Sequence, residues 1–147
     1  MKIAVAFAVF LLLRAAPSWA VLGQSVASVQ SDQQRMRGEV RSASYKGYSV
    51  QQIKAPDGDI VNEYVSPAGT VFAVTWQTRT MPNLQQLFGS YFSQFQQASE
   101  AKSHRRRGVV VRTNQLVVES GGHMRSFHGR AYVPALVPPS VPLSAIE

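Results

Sequence analysis

The sequence DIVNEYVSPAGTVFAVTWQ, from Asp59 to Gln77, decides the fold because it reads as two β-strands joined by a tight turn. Pro67 has the fixed φ that suits the second position of a type I turn, and Gly69 can adopt the positive φ that closes the turn with a bulge. This turn pairs Ser66 with Thr70. The same register predicts three further cross-strand pairs: Tyr64 with Phe72, Asn62 with Val74, and Ile60 with Trp76. Because side chains alternate along a strand, we expect these six residues to share one face, which would be the core face.

A second turn of the same kind lies just before this hairpin, at Ala55-Pro56-Asp57-Gly58. It would join a strand from Tyr48 to Lys54 to the strand that begins at Ile60. Two such turns in close succession predict a three-stranded antiparallel meander.

The start of the chain has the pattern of a secretory signal peptide. An apolar run from Ile3 to Leu13 follows Lys2, and the small residues Ser18 and Ala20 fit cleavage after Ala20. The alternative is a membrane anchor, which needs about 20 apolar residues. Because Arg14 interrupts the run, the cleaved signal is favoured, and we expect a periplasmic or secreted protein.

Composition limits the classes of protein that fit. The chain has 147 residues, enough for one domain with a modest core, and a formal net charge of +7. Its lack of cysteine excludes disulfides, thiol chemistry and a lipid-anchored lipoprotein. We expect stability to come from packing alone, and no cofactor is predicted.

The composition also changes along the chain, which predicts four segments: a signal peptide (1–20), a flexible polar arm (21–44), a single α+β domain (45–134) and a Pro-rich tail (135–147). The arm is rich in Gln and Ser, so little apolar burial offsets the entropy of ordering it. A weak helix from Ser25 to Met36 is the alternative. The tail is expected to be extended and semi-rigid.

Asn83 begins the clearest helix, which should run to about Lys102. Asn is a strong N-cap, and Gln86 three residues later resembles a capping box. Apolar residues then recur with the helical period, at Leu84, Leu87, Phe88, Tyr91, Phe92, Phe95 and Ala98. This stripe could be a ligand wall or a partner surface. We favour packing on the aromatic face of the sheet, the one predicted to carry Phe72 and Trp76.

Short β-rich segments follow the helix. We expect strands at Gly108 to Arg112 and Leu116 to Ser120, a two-residue turn at Gly121-Gly122, a returning strand from His123 to Phe127, and an extended piece from Ala131 to Val133. This turn would place Leu116 opposite Phe127. The predicted fold is therefore α+β: an antiparallel sheet of about five to six strands, a meander plus a C-terminal hairpin, packed by one amphipathic helix.

The densest positive charge is the run Arg105, Arg106 and Arg107, with Lys102 and His104 beside it. The run is a candidate site for an anionic polymer. Nucleic acid is not expected as a partner, because no aromatic residues are interleaved with the charges. The simpler interpretation is a solvated loop that interacts with the helix C-terminus.

A second group of candidate anion or partner contacts is His123, Arg125, His128 and Arg130. On one regular strand His123 and His128 would point to opposite faces, and few carboxylates lie nearby, so no metal site is predicted. Ser120 and Ser126 are candidate nucleophiles, but neither has the G-x-S-x-G elbow. The acids are scattered, so a paired-carboxylate hydrolase is not indicated.

Two stretches carry a resemblance: EYVSPAGTVFAVTWQTRTMPNLQQLFGSYFSQF, from Glu63 to Phe95, and VVESGGHMRSFHGRAYVPALVP, from Val117 to Pro138. They resemble the uncharacterised exported bacterial family catalogued as domain of unknown function 2844. The resemblance covers nearly all of the chain after the signal peptide and is least typical in the arm. It implies the envelope of Gram-negative bacteria, and it implies no activity and no catalytic residues.

Three functional hypotheses follow. The first is a small non-enzymatic exported protein that binds another envelope component. The second is a binder of anionic polymer through Arg105 to Arg107. The third is a hydrolase that uses the His123/His128 region. Convergence of His123, Arg125, His128 and Arg130 on one pocket would favour the second and third hypotheses.

Overall fold

A seven-stranded antiparallel sheet forms the centre of the molecule in the computed structural model, which describes residues 22–100 and 108–147. Its strands are β1 (Glu39–Tyr45), β2 (Tyr48–Lys54), β3 (Ile60–Val65), β4 (Val71–Thr78), β5 (Gly108–Arg112), β6 (Val117–His123) and β7 (Ser126–Tyr132). The strand order is β1-β2-β3-β4-β7-β6-β5. The helices are α1 (Ser28–Met36), α2 (Leu84–Phe88) and α3 (Phe92–Glu100). The predicted α+β class is confirmed, with seven strands in place of five or six.

Both predicted turns of the meander are present. At the first, the Gly58 N–H donates to the Ala55 carbonyl (3.0 Å), and Gly58 has a φ of 93°. At the second, the Gly69 N–H donates to the Ser66 carbonyl (2.8 Å), and Gly69 has a φ of 79°. The Ser66 N–H also donates to the Thr70 carbonyl (2.8 Å), as the predicted pairing requires. The prediction of β2 from Tyr48 to Lys54 and of a three-stranded meander is confirmed.

The predicted register beyond this turn is wrong by one residue. A β-bulge shifts the pairing between Tyr64 and Val65, so Phe72 has no partner and Tyr64 pairs with Ala73. The observed pairs are then Asn62 with Thr75, Val61 with Trp76, and Ile60 with Gln77. Because a one-residue slip moves a side chain to the other face, the six residues predicted to share a face are divided between two faces.

The sheet is therefore covered on both sides. The helix face carries Val61, Val65, Val74, Trp76, Val118 and Ala131, which pack in one cluster with Leu87, Phe88 and Phe95 of the helices. The opposite face, here called the groove face because a groove described below lies on it, carries Tyr64, Phe72 and Ala73, which pack with Val141 and Ile146. The helix does cover Val74 and Trp76 as predicted, but Tyr64 and Phe72 lie on the opposite side.

The single predicted helix is broken near its middle. Asn83 is the N-cap, and its Oδ1 accepts the Gln86 N–H (3.1 Å), as predicted. Gly89 then ends α2 with a φ of 52° and a ψ of −120°, and a 3-10 turn (Gly89–Tyr91) leads into α3. The apolar stripe survives this break: the Phe88 ring lies 5.1 Å from the Phe95 ring and 6.0 Å from that of Trp76.

The segment predicted to be a flexible polar arm contains α1 and nearly all of β1 instead. Main-chain hydrogen bonds fix its start, because the Gly23 N–H donates to Val71 (2.8 Å) and the Val71 N–H donates to Gln24 (2.8 Å). Leu22 and Val29 are buried. Composition alone did not reveal these backbone bonds, which together with two buried apolar side chains offset the entropy of ordering.

The C-terminal hairpin turns later than predicted. Gly121 and Gly122 lie within β6, and the turn is Met124-Arg125, with Arg125 at a φ of 67°. Gly122 pairs with Phe127, so the predicted pairing of Leu116 with Phe127 is wrong. The longer hairpin pairs Val117–His123 with Ser126–Tyr132, and the added rungs satisfy more main-chain groups than a turn at the two glycines would.

Residues 134–147, here called the Pro-rich segment, pack against the groove face. They contain two 3-10 turns, Pro134–Leu136 and Leu143–Ala145, so the segment is less extended than predicted. Val141 and Ile146 are buried in it. The Pro-rich segment therefore belongs to the core rather than to a separate tail.

Candidate functional site

An open groove of about 700 Å³ lies on the groove face, beside the area that the Pro-rich segment covers. Its side-chain lining combines apolar, polar and charged residues: Ile60, Asn62, Thr75, Gln77, Val110, Arg112, Glu119, His128, Arg130 and Ile146. Pockets that bind small molecules generally measure about 300–1,000 Å³. The groove is therefore the candidate functional site.

Strand register builds one wall of the groove from a single cross-strand row. The row crosses the strands in their order in the sheet, β2, β3, β4, β7, β6 and β5. Cross-strand pairing aligns one residue of each strand along it: Gln52, Asn62, Thr75, Arg130, Glu119 and Val110. The Gln52 amide donates to Asn62 Oδ1 (3.0 Å), and the Asn62 amide donates to Thr75 Oγ1 (3.1 Å). The Thr75 hydroxyl donates to the main-chain oxygen of Glu147 (3.1 Å). The polar side chains of this row are thus fixed by one another before any ligand binds.

Glu119 joins two arginines at the centre of the charged part of the groove. Arg112 Nη2 donates to Glu119 Oε1 (2.7 Å), and Arg130 Nε donates to Glu119 Oε2 (2.9 Å). Arg130 Nη2 forms an ion pair with the same Oε2 atom at 2.9 Å. The hydrogen bond from Arg112, followed by that from Arg130, holds the pKa of Glu119 below its usual value. The carboxylate therefore stays ionised and keeps both guanidinium groups in place.

Arg130 also connects the cluster to the Pro-rich segment. Its Nη1 donates to the main-chain oxygen of Ile146 (3.2 Å). Residue Ile146 is fully buried and lines the groove with its neighbour Glu147. The position of the Pro-rich segment and that of the charged cluster are thus coupled through one side chain.

His128 lies in the same groove, next to a position without a side chain. It pairs with Gly121 across the β6–β7 hairpin, and a Cβ built on Gly121 would lie 3.5 Å from His128 Nε2. This leaves a hollow beside the imidazole that an alanine side chain would enter. Of the four predicted contacts, His128 and Arg130 line the groove.

The other two predicted contacts lie at the tip of the hairpin. His123 pairs with Ser126, and its Nδ1 lies 3.2 Å from the Met124 carbonyl. Arg125 lies in the turn and lines a separate hollow with Arg79 and Thr80. The four residues therefore do not converge on one pocket.

The turn also changes the argument about the two histidines. They lie on different strands, separated by the turn residues Met124 and Arg125. The face that each side chain occupies therefore follows from the cross-strand pairs and not from the number of residues between the two histidines. Since His123 pairs with Ser126 and Gly121 with His128, both histidines belong to the groove face. The prediction that they point to opposite faces is wrong. In residues 22–100 and 108–147, no cluster of three or more metal-ligating side chains forms.

The basic run Arg105, Arg106 and Arg107 lies outside the described residues. The residues missed by sequence reasoning at the groove are Arg112 and Glu119, which end up on neighbouring strands. A sequence signal for this pair existed, since both lie in segments predicted to be consecutive strands. The pairing register of these two strands could not be predicted from their sequences alone.

A second missed feature lies under the helix face. Glu63 is fully buried on β3 and Asp32 is buried on α1, and Asp32 accepts a hydrogen bond from the Gln86 amide (2.7 Å). The pKa of Glu63 is raised to about 8, chiefly by burial. The charge of Asp32 and a hydrogen bond with Asp32 raise it further. Burial also raises the pKa of Asp32, against the opposing effects of Gln86 and Arg35. The acids expected to be scattered thus include one buried pair.

Within the described ranges no helix is long and apolar enough to cross a membrane.

Comparison with known proteins matches the chain to a family without an assigned activity. The family model described as "Protein of unknown function (DUF2844)" matches residues 18–146. No curated protein and no solved structure matches the chain. The match spans most of the chain, including all seven strands and the helices, and it agrees with the resemblance carried by Glu63 to Phe95 and Val117 to Pro138. The chain therefore belongs to the DUF2844 family of proteins of unknown function.

Proposed function

We propose that this protein is a small exported protein of the bacterial envelope that binds another envelope component without chemically changing it, and that the groove is its contact site. The signal-like pattern of residues 1–20 supports export to the periplasm or beyond. The groove supports a binding role, because it is concave, partly apolar and contains a few fixed polar groups.

The observation that carries this proposal is the ion-pair cluster of Arg112, Glu119 and Arg130. Each of these side chains comes from a different strand, so the sheet fixes their mutual positions. The side chain of Arg130 is 34% exposed and that of Arg112 is 69% exposed, so both guanidinium groups remain accessible from the groove. A preformed, accessible charged cluster lowers the entropic cost of binding a partner.

A hydrolase is the weaker alternative. It would need a nucleophile within hydrogen-bond reach of a base. In the part of the chain that the structure describes, the nitrogen contact of His123 is a main-chain carbonyl rather than a serine hydroxyl. His128 remains the candidate base because it lies in the groove. A hydrolytic activity that is lost in His128→Ala would replace the binding proposal.

Binding of an anionic polymer is the second alternative, and one observation favours it. Arg125 and Arg79 line a common hollow at the hairpin tip. Together with Arg105 to Arg107 they could hold phosphate or carboxylate groups along a polymer. Such binding would weaken steeply with ionic strength, since exposed charges are screened by salt.

A capture experiment distinguishes these possibilities. The tagged protein would be exposed to the envelope fraction of its source cell beside three variants: Arg112→Gln, Arg125→Gln, and a variant with Arg105, Arg106 and Arg107 changed to Ala. Capture that is lost only in Arg112→Gln would support the groove. Loss only in the other two variants would contradict it and favour the polymer site.

A further inference from the structure

We propose that the groove binds a small organic anion: a carboxylate or phosphate group joined to a short apolar body. This inference deepens the proposed function and rests on it only in assigning binding to the same groove. It follows from two observations, namely the donors left over in the groove and its apolar walls.

The arginines retain unused hydrogen-bond donors. A guanidinium group has five N–H donors. Among the described residues, Arg112 donates one hydrogen bond, to Glu119, and Arg130 donates to Glu119 and to the Ile146 carbonyl. Several N–H groups on each arginine are left for water or a ligand.

Several acceptors of the groove are already occupied. Both carboxylate oxygens of Glu119 accept from the arginines. Asn62 Oδ1 accepts from Gln52, and Thr75 Oγ1 accepts from Asn62. A ligand that complements the remaining N–H groups of the two arginines must supply acceptors, and an anionic group supplies the strongest ones.

The ion pairs hold these donors in place. Arg112 and Arg130 both pair with Glu119, and the acidic residue Glu147 also lines the groove. Glu119 also holds the Arg112 side chain in a fixed geometry, so less side-chain entropy is lost when the arginine contacts a ligand. Planar, fixed guanidinium groups suit carboxylate and phosphate oxygens.

The remaining lining favours an organic anion over an inorganic one. Ile60 and Val110 give the groove apolar walls, and Gly121 leaves a hollow beside His128. A volume of about 700 Å³ exceeds what a free phosphate fills. An apolar body attached to the anionic group would cover these walls and add burial of apolar surface.

Isothermal titration calorimetry with hexanoate, hexyl phosphate, hexanol and inorganic phosphate tests this proposal. We expect one of the two amphipathic anions to bind with a 1:1 stoichiometry, and the comparison of hexanoate with hexyl phosphate identifies the head group. Hexanol and inorganic phosphate should bind at least about tenfold more weakly, because hexanol lacks the anionic group and inorganic phosphate lacks the apolar body. Binding of neither amphipathic anion, or equally tight binding of hexanol or inorganic phosphate, would overturn the proposal.

Two single substitutions locate the site. Arg112→Gln should weaken binding of the amphipathic anion about tenfold, because it removes the charge of a groove side chain that is 69% exposed, while the side chain stays polar. Arg125→Gln is the matched control, since it removes a charge at the hairpin tip, outside the groove. Equal binding by wild type and Arg112→Gln would refute the assignment. If the protein still captures an envelope component through Arg112 but binds neither amphipathic anion, the ligand class fails while the proposed function stands.

Discussion

Asp32 on α1 and Glu63 on β3 place two carboxyl groups against each other in the interior of the protein. Glu63 has no solvent exposure, and no N–H or hydroxyl donor of the described residues reaches either of its carboxylate oxygens or Oδ2 of Asp32. Two carboxyl groups can hydrogen-bond to each other only when one carries a proton. Because Gln86 donates to Asp32, Asp32 is the better anion and Glu63 holds the proton.

This pair makes the stability of the fold depend on pH. The pKa of Glu63 is about 8 in the folded protein, above its ordinary value of 4.5, because burial and Asp32 both disfavour the anion. Between these two values the folded state holds a proton that the unfolded state has released. Stability therefore falls as pH rises through this range and reaches its lower plateau above the folded pKa.

The first prediction is that Glu63→Gln removes most of this dependence. Glutamine can still donate to Asp32 but cannot ionise. We expect the wild type to lose up to about 5 kcal/mol of unfolding free energy between about pH 5 and pH 9, and the variant to lose much less. Urea unfolding followed by circular dichroism at several pH values measures the difference.

Glu39→Gln provides the control, because Glu39 is exposed on the edge strand β1. It should follow the wild-type profile. Parallel profiles for wild type and Glu63→Gln would show that Glu63 does not hold the proton.

The meander could be predicted because its information is local. Each turn depends on one proline and one glycine at fixed positions, and both turns form as expected. The bulge beside Tyr64 has no such local signal. It is stabilised by burial of Phe72 and Ala73 under Val141 and Ile146, which lie about seventy residues further along the chain. Long-range packing thus decided which face each side chain occupies.

The candidate site could be predicted only in part for the same reason. His128 and Arg130 were recognised from their chemistry. Arg112 and Glu119 can be assigned to the same site only when the register of β5, β6 and β7 is known. Glu63 was overlooked because an acid in a strand is expected to face solvent. The available sequence signal was that Val61 and Val65, two residues away on either side, are apolar. Both are buried in the structure.

The second prediction concerns two glycines on adjacent strands. A Cβ on Gly129 would overlap the Trp76 ring and lie 2.6 Å from the Glu119 main-chain oxygen, whereas one on Gly121 would make ordinary contact with His128. Gly129→Ala should therefore destabilise the fold by about 3 kcal/mol. Gly121→Ala should change stability by less than about 1 kcal/mol. Chemical denaturation of both variants checks this, and similar values for the two would contradict the close packing of Trp76.

The third prediction concerns the start of α2. Asn83→Ala removes the side-chain oxygen that accepts the Gln86 N–H, and loss of such a cap costs about 1 kcal/mol. Asn114→Ala is the control, because Asn114 is exposed in the turn before β6. Urea unfolding of the two variants should separate them by about that amount. An equal effect of both substitutions would argue against a role for the cap.

The last prediction concerns the attachment of the Pro-rich segment to the sheet. The Tyr64 hydroxyl donates to the main-chain oxygen of Glu147 (2.7 Å) and accepts the Glu147 N–H (3.1 Å). Tyr64→Phe removes both hydrogen bonds but keeps the ring in its cluster. We expect a loss of about 1–2 kcal/mol and faster amide hydrogen exchange in residues 141–147. Tyr132→Phe is the control, because Tyr132 packs in the same cluster without bonding to Glu147.

The same variant tests whether the Pro-rich segment shapes the groove. Ile146 lines the groove and is bonded through its carbonyl to Arg130, so loosening the segment should also loosen the guanidinium of Arg130. Tyr64→Phe should therefore weaken anion binding about threefold, less than Arg112→Gln, because Glu119 still holds Arg130. Faster exchange in residues 141–147 with unchanged anion affinity would show that the segment stabilises the sheet but takes no part in the groove.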